Sequence, residues 1–452
     1  MHERGVAVVG GGPAGMAAAW RLHRAGVPVT VFEAEEWLGG RTRTDRLEGF
    51  TIDAGAQLFG SMFTRFRELA RQLGLEGELI RASGRDALWR EGRAHEVVYG
   101  SVTSMLASGG LSWRTKMRLG TTYVPFLQRH SDVLDLHAPE LAAEAGLDQE
   151  SIAEWGQRAL DRDFVEHLVY PQLSAYYGAL PEETAAGLYH TLARYGIDVS
   201  VYALRSGAAS LYEAIADRLE AAGREVKRGT RVEALEVARQ AVRVALGGEV
   251  RDFAGAVVAT PAPVACELLR GAPAGLQQWL QGVRYRPALT VALLLDQSFP
   301  VRYFGISFAR SSARTVVAAC VEENKHPALV PEGKGLVVAF ARPDVAPDLV
   351  QAEPRRILDA VLPDLEGPFP GIEARITRAK VYRWPVGNPV FYPGYLSRLA
   401  VFRRQGVEED APVAVAGDYQ YASSVEGAVT AGLQASERLL ARLGGATADQ
   451  RV

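Results

Sequence analysis

The chain has 452 residues, 48% apolar and 23% charged, and its 50 basic and 53 acidic side chains leave a net charge of −3. This composition fits a globular protein of about three domains, or two large interleaved ones, and gives no electrostatic reason to bind nucleic acid. Two cysteines, Cys266 and Cys320, and eight histidines without metal-ligand spacing exclude a disulfide framework and point to no metal site.

The first apolar run begins at Val6 and breaks at Gly10, so no secretory core is expected. No uninterrupted apolar stretch is long enough to span a bilayer. The expected location is the cytoplasm, with peripheral membrane contact left open.

Val6-Ala7-Val8-Val9 reads as a buried parallel strand. Gly10-Gly11-Gly12-Pro13-Ala14-Gly15 follows, and then a helical stretch, Met16 to Arg24, stopped at Gly26. Val29 to Phe32 reads as a second strand, closed by Glu33. Gly10 permits the tight turn, Gly12 admits a pyrophosphate, and Gly15 lets the helix pack close to the strand. The helix start offers free N–H groups to phosphate, and Glu33 can accept from a ribose hydroxyl. Strand, glycine turn, helix, strand and acid together specify an α/β, Rossmann-like dinucleotide unit.

Glu36 to Arg43 contains Leu38-Gly39-Gly40-Arg41 directly after that acid. Here the chain resembles the flavoprotein family of amine oxidases, protoporphyrinogen oxidases and carotenoid desaturases. The resemblance implies FAD, with Glu33 and Ala34 at the adenosine and Gly39, Gly40 and Arg41 around the diphosphate. Thr51 to Gly60 is similar to the family's next segment, which would pass Gly55, Ala56, Gln57 and Leu58 beside the isoalloxazine. Alone, that segment reads as an ordinary β-turn.

By the same resemblance Val232, on a strand edge, contacts adenine through its backbone. Ala256 to Pro261 resembles the strand ending in A-x-P near the cofactor, which places Ala259 there. Ser206 to Leu211 resembles a glycine element just upstream. Pro412 to Ala416 reads as a strand, followed by Gly417-Asp418. Ser424-Val425-Glu426-Gly427-Ala428-Val429 then opens a helix running to about Leu443. In the family Asp418 would bond a ribityl or phosphate hydroxyl. The helix start at Ser424, Val425 and Ala428 would face the flavin N1–C2 edge, where a helix N-terminus stabilises negative charge.

The FAD-binding domain is thus expected to be discontinuous: 1–82, 200–275 and 396–452. Two insertions build an α+β substrate domain, 83–199 helical and 276–395 a mixed β-sheet. Helical stretches include Ala138 to Ala145, Gln149 to Leu168 and Pro354 to Leu362. Strand-like runs are Ala288 to Leu295, Thr315 to Val321 and Gly335 to Phe340.

Many amine oxidases of the family carry a lysine on the strand after A-x-P and an aromatic-cage tyrosine before E-G-A-V. The matching positions here are Thr290 and Ser424, and none of the five lysines lies near Thr290 in sequence. Tyr382 to Gly394 resembles a stretch of protoporphyrinogen oxidases and is expected to form a proline-stiffened loop. Trp384 and Tyr392 on it, with Gln57, are the candidate catalytic residues. Tyr170, Tyr176 and Tyr177 and the histidines His167 and His190 read as packing residues. Neither cysteine stands at the family's flavin-linkage position, so FAD is expected to be non-covalent.

The expectation is an FAD-dependent oxidoreductase, protoporphyrinogen oxidase-like, that oxidises a largely apolar small molecule. O2 or another acceptor would reoxidise the flavin. An amine oxidase and a polyprenyl desaturase are the alternative enzymes. A non-catalytic chaperone of prenylated proteins is the alternative class, and the intact glycine and Asp418 elements argue against it.

Overall fold

In the computed structural model, residues 5–197, 199–406 and 411–449 are described, the last five of these by backbone alone. A five-stranded parallel sheet lies at the centre of one half of the molecule. Its strands run in the order Glu225–Lys227, Val29–Phe32, Val6–Val9, Gly255–Val258 and Val413–Val415. All but the first are buried along their whole length, as expected of a parallel sheet covered on both faces. The helix after the glycine turn runs Pro13–Arg24, three residues earlier than the periodicity suggests, because Pro13 occupies the first turn, where its missing N–H costs nothing. The C-terminal helix, Val425–Asp449, packs against it. On the opposite side, Phe253 of an antiparallel hairpin meets Phe32 edge-on at 5.9 Å.

The second half is built on a seven-stranded sheet in the order Ile376–Val390, Arg284–Leu295, Gly335–Ala341, Val316–Val321, Gly305–Phe308, Arg85–Arg90 and Arg93–Val98. The last two strands come from the segment expected to be helical. The rest of that segment is a series of short helices, with the expected Gln149–Leu168 helix broken at Leu160-Asp161 into Ile152–Ala159 and Arg162–Phe164. Asp161 caps the second piece by accepting from Phe164 N.

The proline-rich stretch around Trp384 is a strand, not a loop. Pro385 and Pro389 lie within Ile376–Val390. That strand is the edge of its sheet, so only one side must form a ladder, and the register shifts by a bulge opposite Arg286 and Ala288. Edges and bulges are where a sheet tolerates a residue without an N–H. Val232 is also not on a strand: it lies in the link between Glu225–Lys227 and Ala234–Val237. No helix among the described residues is long and apolar enough to cross a membrane.

Candidate FAD and substrate site

The glycine turn is built by sterics that only glycine satisfies. Gly10 has φ +106°, and a Cβ there would sit 2.7 Å from Ala259 O. A Cβ on Gly15 would sit 1.8 Å from Gly10 O, so the helix could not close on the strand. Gly12 differs, because its Cβ would meet only Gly40 Cα, at 4.0 Å. The two glycine loops face each other across a gap that any side chain would fill. No acid lies in the first helical turn and no side chain caps Gly12. The N–H groups there are available to an anion.

Glu33 stands at the rim of this gap. Its carboxylate accepts from Gly11 N at 2.6 Å and Glu35 N at 2.9 Å. Burial raises its pKa more than these donors lower it. The Val232 link is held beside it, since Thr230 N donates to Glu33 O at 2.7 Å. Ala34 is exposed next to Glu33.

Four distant segments converge at the other end. Arg41 donates bidentately to Asp418, at 2.8 and 2.9 Å, and to Gly387 O at 2.7 Å. Burial alone would lower the guanidinium pKa, but the facing Asp418 carboxylate outweighs it and raises the value. A Cβ on Gly55 would lie 2.0 Å from Arg41 O and 3.7 Å from the Trp384 ring. Ala56 N donates to Arg41 O at 3.0 Å. Ser423 Oγ donates to Asn388 Oδ1 at 3.3 Å. Ser424 Oγ caps the C-terminal helix by accepting from Gly427 N at 3.0 Å. Gly39–Arg41, Gly55–Gln57, Trp384–Asn388 and Gly417–Ala428 thus form one site. Leu58 follows Gln57, half-buried.

Tyr392 does not join them. Its hydroxyl donates to Gly282 O at 3.0 Å and receives Arg398, and its ring stands edge-on to Tyr395 at 5.3 Å. Thr290 is buried inside the second sheet between Phe340 and Tyr382.

A lysine reaches the flavin segment from elsewhere in the chain. Lys325 Nζ donates to Gln57 Oε1 at 2.6 Å and lies 2.5 Å from Glu322 and 3.5 Å from Asp53. All four side chains are buried. Burial pushes the Glu322 carboxyl up to about 7, against the pull of Lys325. Lys325 is itself shifted upward, because two carboxylates outweigh its burial. The two shifts agree once the count is made: one cation serves two anions, so the cluster favours holding one extra proton. Glu322 and Lys325 sit on a four-residue helix, Glu322–Lys325, with no local motif to mark them.

Gln57 Nε2, Trp384 Nε1 and Thr260 Oγ1 are buried without a protein partner. Buried polar atoms are rarely left so, and these three lie on segments beside the proposed cofactor track. With the open gap between Gly12 and Gly40, they fit a bound group rich in acceptors, as a dinucleotide flavin is.

Against this site lies a mainly apolar hollow, lined among others by Leu173, Tyr177, Leu188, Pro389, Phe391 and Ser423. Of the other sequence candidates, Tyr170 is core, Tyr176 donates to Asp86 at 2.6 Å, and His167 pairs with Asp163 at 2.8 Å. Burial lowers His190 to about 3, so it is neutral.

A family model described as flavin containing amine oxidoreductase matches residues 13–440. Coproporphyrinogen III oxidase of Bacillus subtilis is 24% identical, covering 94% of each chain. Mouse amine oxidase B is 47% identical, but over 76 residues, 17% of this chain and 15% of that protein. The solved cyclohexylamine oxidase of Brevibacterium oxydans superposes with a TM-score of 0.77 at 21% identity, covering 98% of this chain and 100% of the other. With its glycine turn, acid, second glycine loop and C-terminal Gly-Asp element in one site, the chain belongs to the flavin-containing amine oxidoreductases and is an FAD-dependent oxidase.

Proposed function

We propose that this oxidase acts on a large, mainly apolar cyclic tetrapyrrole precursor of the porphyrinogen class, with FAD held non-covalently. The observation that carries the reading is the alignment with a coproporphyrinogen III oxidase over 94% of each chain. Amine oxidase B, by contrast, aligns over 76 residues, 17% of this chain.

FAD, when bound, supplies a two-electron acceptor at its N5, and O2 or another acceptor takes the electrons onward. The residues of this chain bind and orient. Trp384 covers one side of the Gly55 turn. Lys325 fixes the Gln57 carbonyl, which leaves the amide nitrogen free to donate.

The Lys325–Gln57 contact favours amine oxidation as a second reading, since amine oxidases of this family carry a lysine beside the flavin. Anaerobic bleaching of the flavin absorbance by coproporphyrinogen III, protoporphyrinogen, cyclohexylamine, benzylamine and a polyene precursor separates the readings. Rapid bleaching by a porphyrinogen is expected. Bleaching by the amines alone would overturn the proposal.

A further inference from the structure

Two short helices on the surface of the second half expose their apolar faces. Val102 and Leu106 on Val102–Ala107 are 57% and 44% exposed, and Trp113 and Met117 on Trp113–Arg118 are 69% and 52% exposed. Each pair is spaced i,i+4, so each helix turns one apolar face outward. Lys116 locks the helices together by donating to Leu106 O at 2.8 Å and to Ser108 O. A clustered exposed Trp, Met, Leu and Val is unusual for a surface that meets only water.

The charges carried by these helices have one sign. Residues 97–131 contain no Asp or Glu and carry Arg114, Lys116, Arg118 and Arg129, in a chain whose net charge is −3. Arg114 and Arg129 are exposed, whereas Lys116 is buried and Arg118 is half-buried. The acids that touch the second helix, Asp161 and Asp163, are engaged at its inner end. Asp163 accepts from Ser112 N at 2.7 Å, Thr115 Oγ1 at 2.8 Å and Arg90 at 3.3 Å. Asp161 accepts from Thr115 Oγ1 and Phe164 N, both at 3.0 Å, and lies 3.8 Å from Arg118.

We propose that this face docks on an anionic lipid surface, with Trp113, Met117, Leu106 and Val102 entering the interface and the arginines resting on the headgroups. An exposed apolar set flanked by arginines, on helices that carry no acid, matches an anionic lipid surface, which offers an apolar interior beneath negative headgroups. The helical run from Trp113 continues to Arg129, where Phe126 packs on His190 at 4.7 Å. His190 shares its helix with Leu188 and Leu192, which line the hollow. The docked face would therefore lie on the same helical layer as that hollow.

The test is co-sedimentation of the holoenzyme with vesicles of phosphatidylglycerol and phosphatidylcholine in equal parts, and with phosphatidylcholine alone. Binding to the anionic vesicles that weakens with salt is expected. Trp113→Ser with Met117→Ser should cut the bound fraction by about fivefold or more, and Arg114→Glu should weaken it in its own right. Retained flavin and circular dichroism would show these variants folded, since the altered residues are exposed. Failure of the wild type to bind, or equal binding by the double variant, would overturn the proposal. So would light scattering that finds a dimer abolished by the same substitutions in a protein that ignores vesicles.

Discussion

Replacing Lys325 with Met tests the buried cluster most directly. Methionine keeps the length of the side chain and removes its charge. Glu322 and Asp53, 2.5 and 3.5 Å from the ammonium, would then be buried with no cation. Removing one partner of a buried ion pair costs about 3–5 kcal/mol. At about 2.1 cal/mol/K per residue, unfolding all 452 residues carries roughly 0.95 kcal/mol/K, so the melting temperature should fall by about 3–5 °C.

The effect has a pH signature. Glu322 ordinarily titrates at 4.5, and burial lifts it to about 7 in the fold. The fold therefore prefers its protonated form, and that advantage is complete below 4.5 and lost as pH rises through about 7. Without Lys325 the two carboxylates face each other uncompensated at high pH and are relieved by protonation at low pH. The melting deficit should be larger near about pH 8 than near about pH 5.5. Adding Glu322→Gln should recover most of it. Scanning calorimetry across that range decides the matter: a deficit that does not change with pH, or one not rescued by Glu322→Gln, would refute the argument.

Gly12→Val should place a branched side chain in the gap facing Gly40, so purified protein should lose its FAD while keeping its circular dichroism; stoichiometric flavin would show that the gap is not the pyrophosphate track. Acid precipitation of the wild type should release all flavin into the supernatant, and flavin left on the pellet would disprove non-covalent attachment. Trp384→Ala should slow substrate-driven bleaching more than it lowers FAD content, both read from the same visible spectrum. Glu426 is fully buried and accepts from Arg65 N at 2.9 Å, Phe66 N at 3.0 Å and His137 Nε2 at 2.8 Å. Glu426→Ala should destabilise the fold by about 2–3 kcal/mol, measured by urea denaturation, because the start of helix Thr64–Gln72 loses its cap.

The parts legible in the sequence were those whose cause is local. Gly10 and Gly15 are forced by contacts within a few residues of themselves and by one neighbouring strand, so the motif carries its own geometry. The apolar runs of the parallel sheet are equally self-declaring, since strands buried on both faces show no alternation. The stretch around Trp384 reads as a loop because proline argues against a strand in isolation, and its edge position and bulge exist only in the assembled sheet. Lys325 was invisible for a stronger reason. It meets Gln57 from 268 residues away, and nothing in the segment Glu322–Lys325 differs from a solvated charged turn until the fold buries it. The Arg41–Asp418 pair shows the intermediate case: both residues stood in motifs, but their mutual contact did not.

That pair also sets an order of events during synthesis. Arg41 and Asp418 are 377 positions apart, and strand Val6–Val9 must wait for Gly255–Val258 before it is flanked on both sides. The sheet is complete only with Val413–Val415. At about 5–20 residues per second, some 20–80 s separate emergence of the glycine turn from emergence of the partner that closes its site. Through that interval the nascent chain displays an unfinished parallel sheet with an open apolar border. The nucleotide half of the flavin could be met early, but the ring end has no floor until the last strand arrives. Cofactor capture is thus coupled to chain completion, and ribosome-stalled chains ending before residue 413 should carry no stably held flavin.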